Sequence, residues 1–163
     1  MSDYYVKKLT VALSLEHASN ILDTALKVGQ EAGMLPLTVV VLDAGGHLLA
    51  LKREDGSGIM RVDIAIGKAW GALGMGISSR TIRDRLSDRP AFQSALSSAS
   101  QGRFIPVPGG VLICNHNQEV IGAVGISGDA SDKDEYCAIT AINQCNFISH
   151  PETPSENWSD AGL

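Results

Sequence analysis

The sequence predicts an α+β fold in which helices pack against an antiparallel sheet. Residues 37–53 and residues 110–127 each contain two apolar, β-branched runs joined by a short turn, which is the pattern of a hairpin. Segments with apolar residues at helical spacing lie before, between and after these hairpins, in the order α-ββ-ααα-ββ-α. Because a hairpin pairs its strands antiparallel, this order argues against a parallel, Rossmann-type sheet.

The first half of the chain predicts one helix and one hairpin. Residues 14–33 carry apolar side chains at helical spacing, with Ser14 as the N-cap and Gly33 at the end. Residues 37–43 form a continuous β-branched run, which is typical of a strand buried on both faces. Residues 47–53 return as its partner after an Ala-Gly-Gly turn.

Three helices are expected in the middle of the chain. They cover residues 59–76, 79–86 and 89–99. Small residues recur along the first of them, which allows close approach to a sheet or to another subunit. In the last of them Pro90 occupies a first-turn position, where proline is tolerated, after Asp88 as the candidate cap.

The second hairpin and a closing helix complete the predicted domain. Residues 110–127 form two strands joined through the polar turn Asn-His-Asn-Gln. Residues 131–150 predict a long helix, capped by Ser131 together with Asp134. The tail, residues 151–163, is polar and interrupted by proline, so we expect it to be irregular.

Length and composition indicate one domain, residues 1–150, followed by that tail. A chain of 163 residues with 44% hydrophobic and 19% charged residues can bury a normal core. We expect Trp158 in the tail to dock on the body of the domain or on a neighbouring subunit.

Charge and targeting signals exclude several classes of protein. A net charge of −5 argues against a nucleic-acid or anionic-membrane binder. No signal-peptide segment and no apolar run of ~18 residues is visible, so we expect a cytoplasmic protein. Cys137 and Cys145 would lie ~12 Å apart on one helix, too far to pair. Together with Cys114 they are therefore expected to be free thiols.

Four motifs in combination resemble those of a known family. They read "VVLDAGGHLLALKRED", "IAIGKAWGALGMG", "GRFIPVPGGV" and "IGAVGISGDASDKDEYCA". Together they are similar to the GlcG/HbpS-like (DUF336) family, which includes the C-terminal domain of PduO-type proteins. The resemblance covers roughly residues 8–147, nearly the whole chain.

The resemblance implies a profilin-like fold, an antiparallel sheet flanked by helices, assembled into homo-oligomers. Some members of the family bind or sense haem, and others lie beside glycolate or diol metabolism. A few resemble hydrolytic enzymes that handle imine intermediates. Since some members ligate haem from the first helix, the resemblance points to His17 as an axial ligand here.

The loop at residues 102–110 is stiff and poor in side chains. Pro106 and Pro108 fix the backbone, while Gly109 and Gly110 reach conformations that other residues cannot. Two interpretations stay open: the loop is the wall of a ligand pocket, or it is a corner that turns the chain into the sheet.

The segment "GISGDASDKDE" is the second candidate site. A strand ends at Ser127, and Gly128 permits a tight turn into the last helix. The amide groups at that helix start, with Ser127 and Ser131, could hold an anion. The acidic residues that crowd the turn either complement the helix dipole or act in acid–base chemistry; they are Asp129, Asp132, Asp134 and Glu135.

Basic side chains could clamp a carboxylate, or they could simply be solvated or paired with neighbouring acids. The candidates are Arg53, Arg61, Lys68 and Arg103. Arg61 and Lys68 are seven positions apart, so they share one face of their helix. No paired-histidine spacing exists among His17, His47, His116 and His150, so no metal site is expected.

These observations lead to two functional hypotheses. The first is a binding protein for a carboxylated small molecule or a tetrapyrrole such as haem. Its pocket would lie between the proline–glycine loop, the start of the last helix and the helix of Lys68. The residues predicted to line this pocket are Pro108, Gly109, Gly110, Ser127 and Gly128. His17 is predicted to be the haem ligand.

The second hypothesis is a small enzyme of the hydrolase or tautomerase type, acting on an imine or enol intermediate. Asp134 or Glu135 would be the general base, with a pKa raised by burial. Arg103 or Lys68 would hold the carboxylate of the substrate.

Overall fold

The computed structural model describes residues 6–163 and confirms the α+β fold. Its helices are α1 (Leu15–Glu31), α2 (Met60–Met75), α3 (Ser79–Leu86), α4 (Pro90–Ala99) and α5 (Ser131–Gln144). Its strands are β1 (Thr38–Asp43), β2 (Leu48–Arg53), β3 (Gly110–Cys114), β4 (Val120–Ser127) and β5 (Ile148–His150). A short 3-10 helix spans Trp158–Asp160.

The five strands form one antiparallel sheet in the order β2-β1-β4-β3-β5. Helices α1 and α5 cover one face and α2 covers the other. Strand β1 is buried on both faces, as the sequence predicts. Because successive side chains of a strand alternate, Val39 and Val41 join the core under α1 and α5, while Val40 and Leu42 face α2.

Helix α1 begins where the sequence places it. Ser14 is the N-cap, and its hydroxyl accepts a hydrogen bond from the His17 amide at 3.1 Å. The face buried against the sheet and α5 consists of Ala18, Ile21, Leu22, Ala25, Val28 and Gly29.

Helix α2 lies unusually close to the sheet. Ala65, Ala69 and Ala72 are fully buried against it. At Gly110, on β3, an added Cβ would collide with the main-chain carbonyl of Lys68, so only glycine permits this contact. The small residues predicted to allow close packing therefore bring α2 onto the sheet.

The last helix is shorter than predicted. It ends at Gln144, not at His150, and Ile148–His150 instead form the edge strand β5, which pairs with β3. Asn146 adopts a positive φ of 63°, a left-handed conformation that asparagine tolerates and that ends a helix. This single residue turns the chain from helix to strand.

Two predicted helix caps are also wrong. The N-cap of α5 is Ala130, with Ser131 as the first helical residue, and the N-cap of α4 is Arg89 rather than Asp88. Neither cap makes a side-chain hydrogen bond. Asp134 still reaches back to accept a hydrogen bond, at 3.1 Å, from the amide of Asp129, the residue before the cap.

The C-terminal tail docks on the body of the domain. Trp158 stacks on Tyr136 of α5, with ring centroids 3.6 Å apart and an interplanar angle of 5°. Arg80 of α3 donates a hydrogen bond to the carbonyl of Thr153 at 2.8 Å. Over residues 6–163, no helix has both the length and the apolar character needed to cross a bilayer.

Candidate functional site

Lys68 fills the space where the sequence predicts a ligand pocket. Its Nζ donates to the carbonyl of Ile126 at 2.9 Å and to Oδ2 of Asp134 at 3.0 Å. The same Nζ lies 2.9 Å from the point where a Cβ on Gly109 would stand. The proline–glycine loop and the end of β4 do face each other, but the protein's own side chain occupies the gap. The expectation of a hollow there is therefore wrong.

Asp134 is the buried partner of Lys68. Its side chain is 1% exposed, and its second oxygen accepts the amide of Asp129. Burial raises the pKa of Asp134 to about 6, against the opposing attraction of Lys68. Burial likewise lowers the pKa of Lys68, although Asp134 opposes that shift. The pair is thus satisfied by hydrogen bonds but costly to desolvate.

Glu135 is also buried, but its partner is different. Arg80 Nε lies 3.1 Å from Glu135 Oε1, close enough for an ion pair. Neither oxygen of Glu135, however, accepts a hydrogen bond of good geometry from any described residue. Burial raises the pKa of Glu135 to about 7, with Arg80 as the main opposing influence. Glu135 is therefore a carboxyl group that can change charge near neutral pH.

The proline–glycine loop is held by contacts within the protein. Gly109 has a φ of 119°, and its carbonyl accepts from the amide of Ile126 at 3.0 Å. The amide of Gly110 donates to the hydroxyl of Ser79 at 2.8 Å. Pro108, like both glycines, is buried. These contacts favour the interpretation of the loop as a corner that turns the chain into the sheet.

Ser127 and Gly128, at the end of β4, are buried as well. The Ser127 hydroxyl accepts a hydrogen bond from Nη1 of Arg61 at 3.2 Å. An added Cβ on Gly128 would collide with the backbone carbonyl of Pro36. A role in ligand binding for these two residues and for the loop stays a prediction.

The four residues predicted as catalytic do not form a single cluster. Lys68 and Asp134 are paired, while Glu135 lies against Arg80. The guanidinium of Arg103 stacks on the ring of Trp70, 4.3 Å from its centroid. Arg80 is the partner that the sequence analysis did not identify. No sequence pattern connects Arg80 with Glu135, because tertiary packing alone brings α3 to α5.

His17 lies on the outer surface of α1. Its imidazole is exposed and contacts the ring of Phe147 edge-to-face, with centroids 5.2 Å apart. Apolar side chains on the preceding turn and segment are also exposed, among them Val11 and Leu15. A cavity of about 340 Å³ opens beside this segment, with a lining that includes Leu9, Val11, Leu13, Leu49 and Ile121.

The three cysteines form no disulfide bond. Cys114, Cys137 and Cys145 are free, as expected. In the described chain, residues 6–163, no three His, Cys, Asp or Glu side chains lie close enough to hold a metal ion.

Residues 13–143 match the family described as "Haem degrading protein HbpS-like". The chain belongs to the HbpS-like family. Among relatives, a 15.0 kDa protein from the dhaT-dhaS intergenic region of Citrobacter freundii is 28% identical over 138 residues, covering 85% of this chain and 92% of that protein. The corrinoid adenosyltransferase PduO of Salmonella typhimurium is 28% identical over 140 residues, but this chain spans only 41% of its length.

Solved structures share the fold. The crystal structure of a PduOC–haem complex has a TM-score of 0.76 and 28% identity, covering 86% of this chain and 99% of that one. The ORFY protein of Klebsiella pneumoniae has a TM-score of 0.75 and 26% identity, covering 89% and 98%. A double mutant of HbpS from Streptomyces reticuli has a TM-score of 0.70 and 23% identity, covering 88% of this chain and 93% of that one. This similarity supports the fold alone.

Proposed function

We propose that this chain binds haem and that His17 would hold its iron. The observation that carries the proposal is the similarity to the PduOC–haem complex, which extends over 99% of that chain. The ligand is a property of that protein, and its transfer to this chain is our inference.

The residues of this chain fit a haem on the outer side of α1. An exposed imidazole can ligate iron, and a haem ring needs an apolar surface beside its ligand. His17 supplies the first, and its contact with Phe147 limits how the ring can turn. Val11, Leu15 and the neighbouring cavity supply the second. A bound haem would provide a redox-active iron, while these residues would orient it and exclude water from one side.

The enzyme hypothesis gains no comparable support. Its general base would be Asp134 or Glu135, but Asp134 is held by Lys68 and both carboxylates are inaccessible. Arg103, proposed to hold the substrate, makes its contacts with Trp70 and the carbonyl of Ser100 instead. We therefore do not propose an enzymatic reaction.

Titration with haemin tests the proposal. The wild-type protein should give a saturable shift of the Soret band, and His17→Ala should weaken binding at least tenfold. His116→Ala is the matched control, since His116 is also an exposed histidine but lies in the β3–β4 turn. Binding that His17→Ala leaves unchanged, or that His116→Ala weakens equally, would contradict the assignment.

We further propose, from the family resemblance, that the chain assembles into a homo-oligomer. Exposed apolar residues such as Leu48 and Val120 offer surface that a second copy could cover. Sedimentation velocity should then show a single species well above the 17.2 kDa monomer. A monomer at every concentration tested would refute this.

A further inference from the structure

We propose that Arg61, which the buried hydroxyl of Ser127 holds in position, forms with the hydroxyl of Ser57 a binding site for a small organic acid with an apolar tail. The ligand's carboxylate would bind the guanidinium, and its tail would cover the exposed start of α2. This site goes beyond haem binding and does not depend on it. It lies on the α2 face of the sheet, whereas His17 lies on α1, which covers the opposite face.

A continuous set of polar side chains forms the site. Arg61, in the first turn of α2, donates through Nη1 to the hydroxyl of Ser127 at 3.2 Å. Ser127 is the cross-strand partner of Thr38, and the Thr38 hydroxyl lies 2.8 Å from that of Ser57. Directly opposed residues of antiparallel strands have Cβ atoms ~5 Å apart on the same face. The guanidinium and the three hydroxyls are therefore close neighbours.

Arg61 is a half-buried cation without a carboxylate partner. Over residues 6–163, no Asp or Glu oxygen lies within 4.0 Å of its guanidinium, and its one described hydrogen bond goes to Ser127. Two other basic groups that lie near α2 are already paired, Lys68 with Asp134 and Arg80 with Glu135. A guanidinium has five N–H donors in a planar fork that matches a carboxylate. Most of those donors remain available to a ligand.

The charge around Arg61 favours a ligand with one negative charge. Its positive charge contributes to lowering the pKa of both Lys68 and Asp134, although burial outweighs this contribution at Asp134, so the three groups are within electrostatic reach of one another. The exposed Asp55 and Asp63 are near in sequence, but neither pairs with Arg61. A monocarboxylate would neutralise this one unpaired guanidinium, whereas a phosphate dianion would overcompensate it.

Two exposed apolar side chains distinguish an organic acid from an inorganic anion. Ile59 and Met60 directly precede Arg61 and are 82% and 68% exposed. Soluble proteins usually cover such neighbouring apolar residues, and burying them is favourable. A ligand that combines a carboxylate with a short hydrocarbon tail can contact the guanidinium and these side chains together.

Chemical-shift titration of the haem-free protein tests the proposal. The protein is titrated with butyrate, acetate and inorganic phosphate, and chloride keeps the ionic strength constant. We expect saturable shifts with butyrate, centred on residues 57–62 and 126–128, and weaker binding of acetate and phosphate. Arg61→Gln should reduce butyrate affinity about tenfold or more, because it removes a charge-assisted contact. Arg85→Gln, an exposed arginine on α3, is the matched control.

Two further variants keep the test decisive if Arg61→Gln does not fold. Met60→Ala should weaken butyrate several-fold and leave acetate unchanged, and Ser57→Ala should weaken both. His17→Ala should bind butyrate like the wild type, so failure of the haem proposal and failure of this one are separable. Absence of saturable shifts with butyrate, insensitivity to Arg61→Gln and Met60→Ala, or tighter binding of phosphate than of butyrate would overturn the proposal.

Discussion

Asp134 and Glu135 are consecutive residues of α5, both fully buried, yet their surroundings differ. Asp134 accepts hydrogen bonds from Lys68 Nζ and from the amide of Asp129. Glu135 has only the ion pair with Arg80, and neither of its oxygens accepts a well-aligned hydrogen bond. Successive helical residues point about 100° apart, so one carboxylate meets α2 and the other meets α3.

This difference separates a hydrogen-bonded buried carboxylate from one that is held by an ion pair alone. Burial disfavours both carboxylates, but only Asp134 has donors for each of its oxygens. Burial raises the pKa of Asp134 from its usual 3.8 to about 6 and that of Glu135 from its usual 4.5 to about 7. The two groups differ in the hydrogen-bond donors that their oxygens meet.

The largest effect should come from breaking the satisfied pair. Lys68→Met leaves Asp134 buried without its cation, and we expect a loss of about 3–5 kcal/mol in the free energy of unfolding. Urea denaturation at neutral pH measures it. The double variant Lys68→Met/Asp134→Leu should recover much of that loss, because it removes both buried charges. A single variant as stable as the wild type would show that the pair is dispensable.

A smaller, pH-dependent effect should follow from Glu135→Gln. Because the folded pKa of about 7 lies above the usual 4.5, the folded protein binds more protons than the unfolded chain between these values. The free energy of unfolding should therefore fall as the pH rises from about 4.5 through 7. About 1 kcal/mol of this fall should occur between pH 6 and pH 8. Glu135→Gln should remove most of that fall and leave the smaller part due to Asp134, whose pKa is about 6.

The measurement is urea denaturation of both proteins across this pH range. Glu152→Gln, an exposed tail position, is the control and should keep the wild-type profile. An unchanged pH dependence in Glu135→Gln would mean that Glu135 does not titrate near neutrality.

The smallest effect should come from loosening the tail beside Glu135. Arg80 binds the carbonyl of Thr153, and Trp158 stacks on Tyr136, so the tail lies close to the Glu135–Arg80 pair. Trp158→Ala should admit water beside Glu135 and so lower the pKa of this carboxyl group. The fall in the free energy of unfolding between pH 6 and pH 8 should then be smaller by a fraction of a kcal/mol. Trp158→Phe preserves an aromatic stack and should retain the wild-type profile. Equal pH profiles for all three proteins would show that the tail does not shield Glu135.

The elements that sequence predicts best are those fixed by local chemistry. Helix α1 begins at its Ser14 cap, and the hairpins follow from alternating apolar runs and their turns. The short edge strand Ile148–His150 was missed because it depends on the left-handed conformation of Asn146. A three-residue strand carries too little periodicity to be distinguished from the end of a helix.

The candidate site was predictable only in part. Lys68 could be singled out in the sequence because it stands among small and apolar neighbours, and Asp134 and Glu135 because they belong to an acidic cluster at a predicted helix start. That Lys68 fills the supposed pocket was not visible, since its burial results from the packing of α2 on glycines of β3 and β4. The partnership of Arg80 and Glu135 likewise requires the tertiary fold.

Chemical rescue of the haem ligand is the most direct test of the proposed function. In His17→Gly, haemin should lose the Soret band of the wild-type complex, and added imidazole should restore it by occupying the vacated position at the iron. A Soret band in His17→Gly that matches the wild type before imidazole is added would show that His17 is not the ligand.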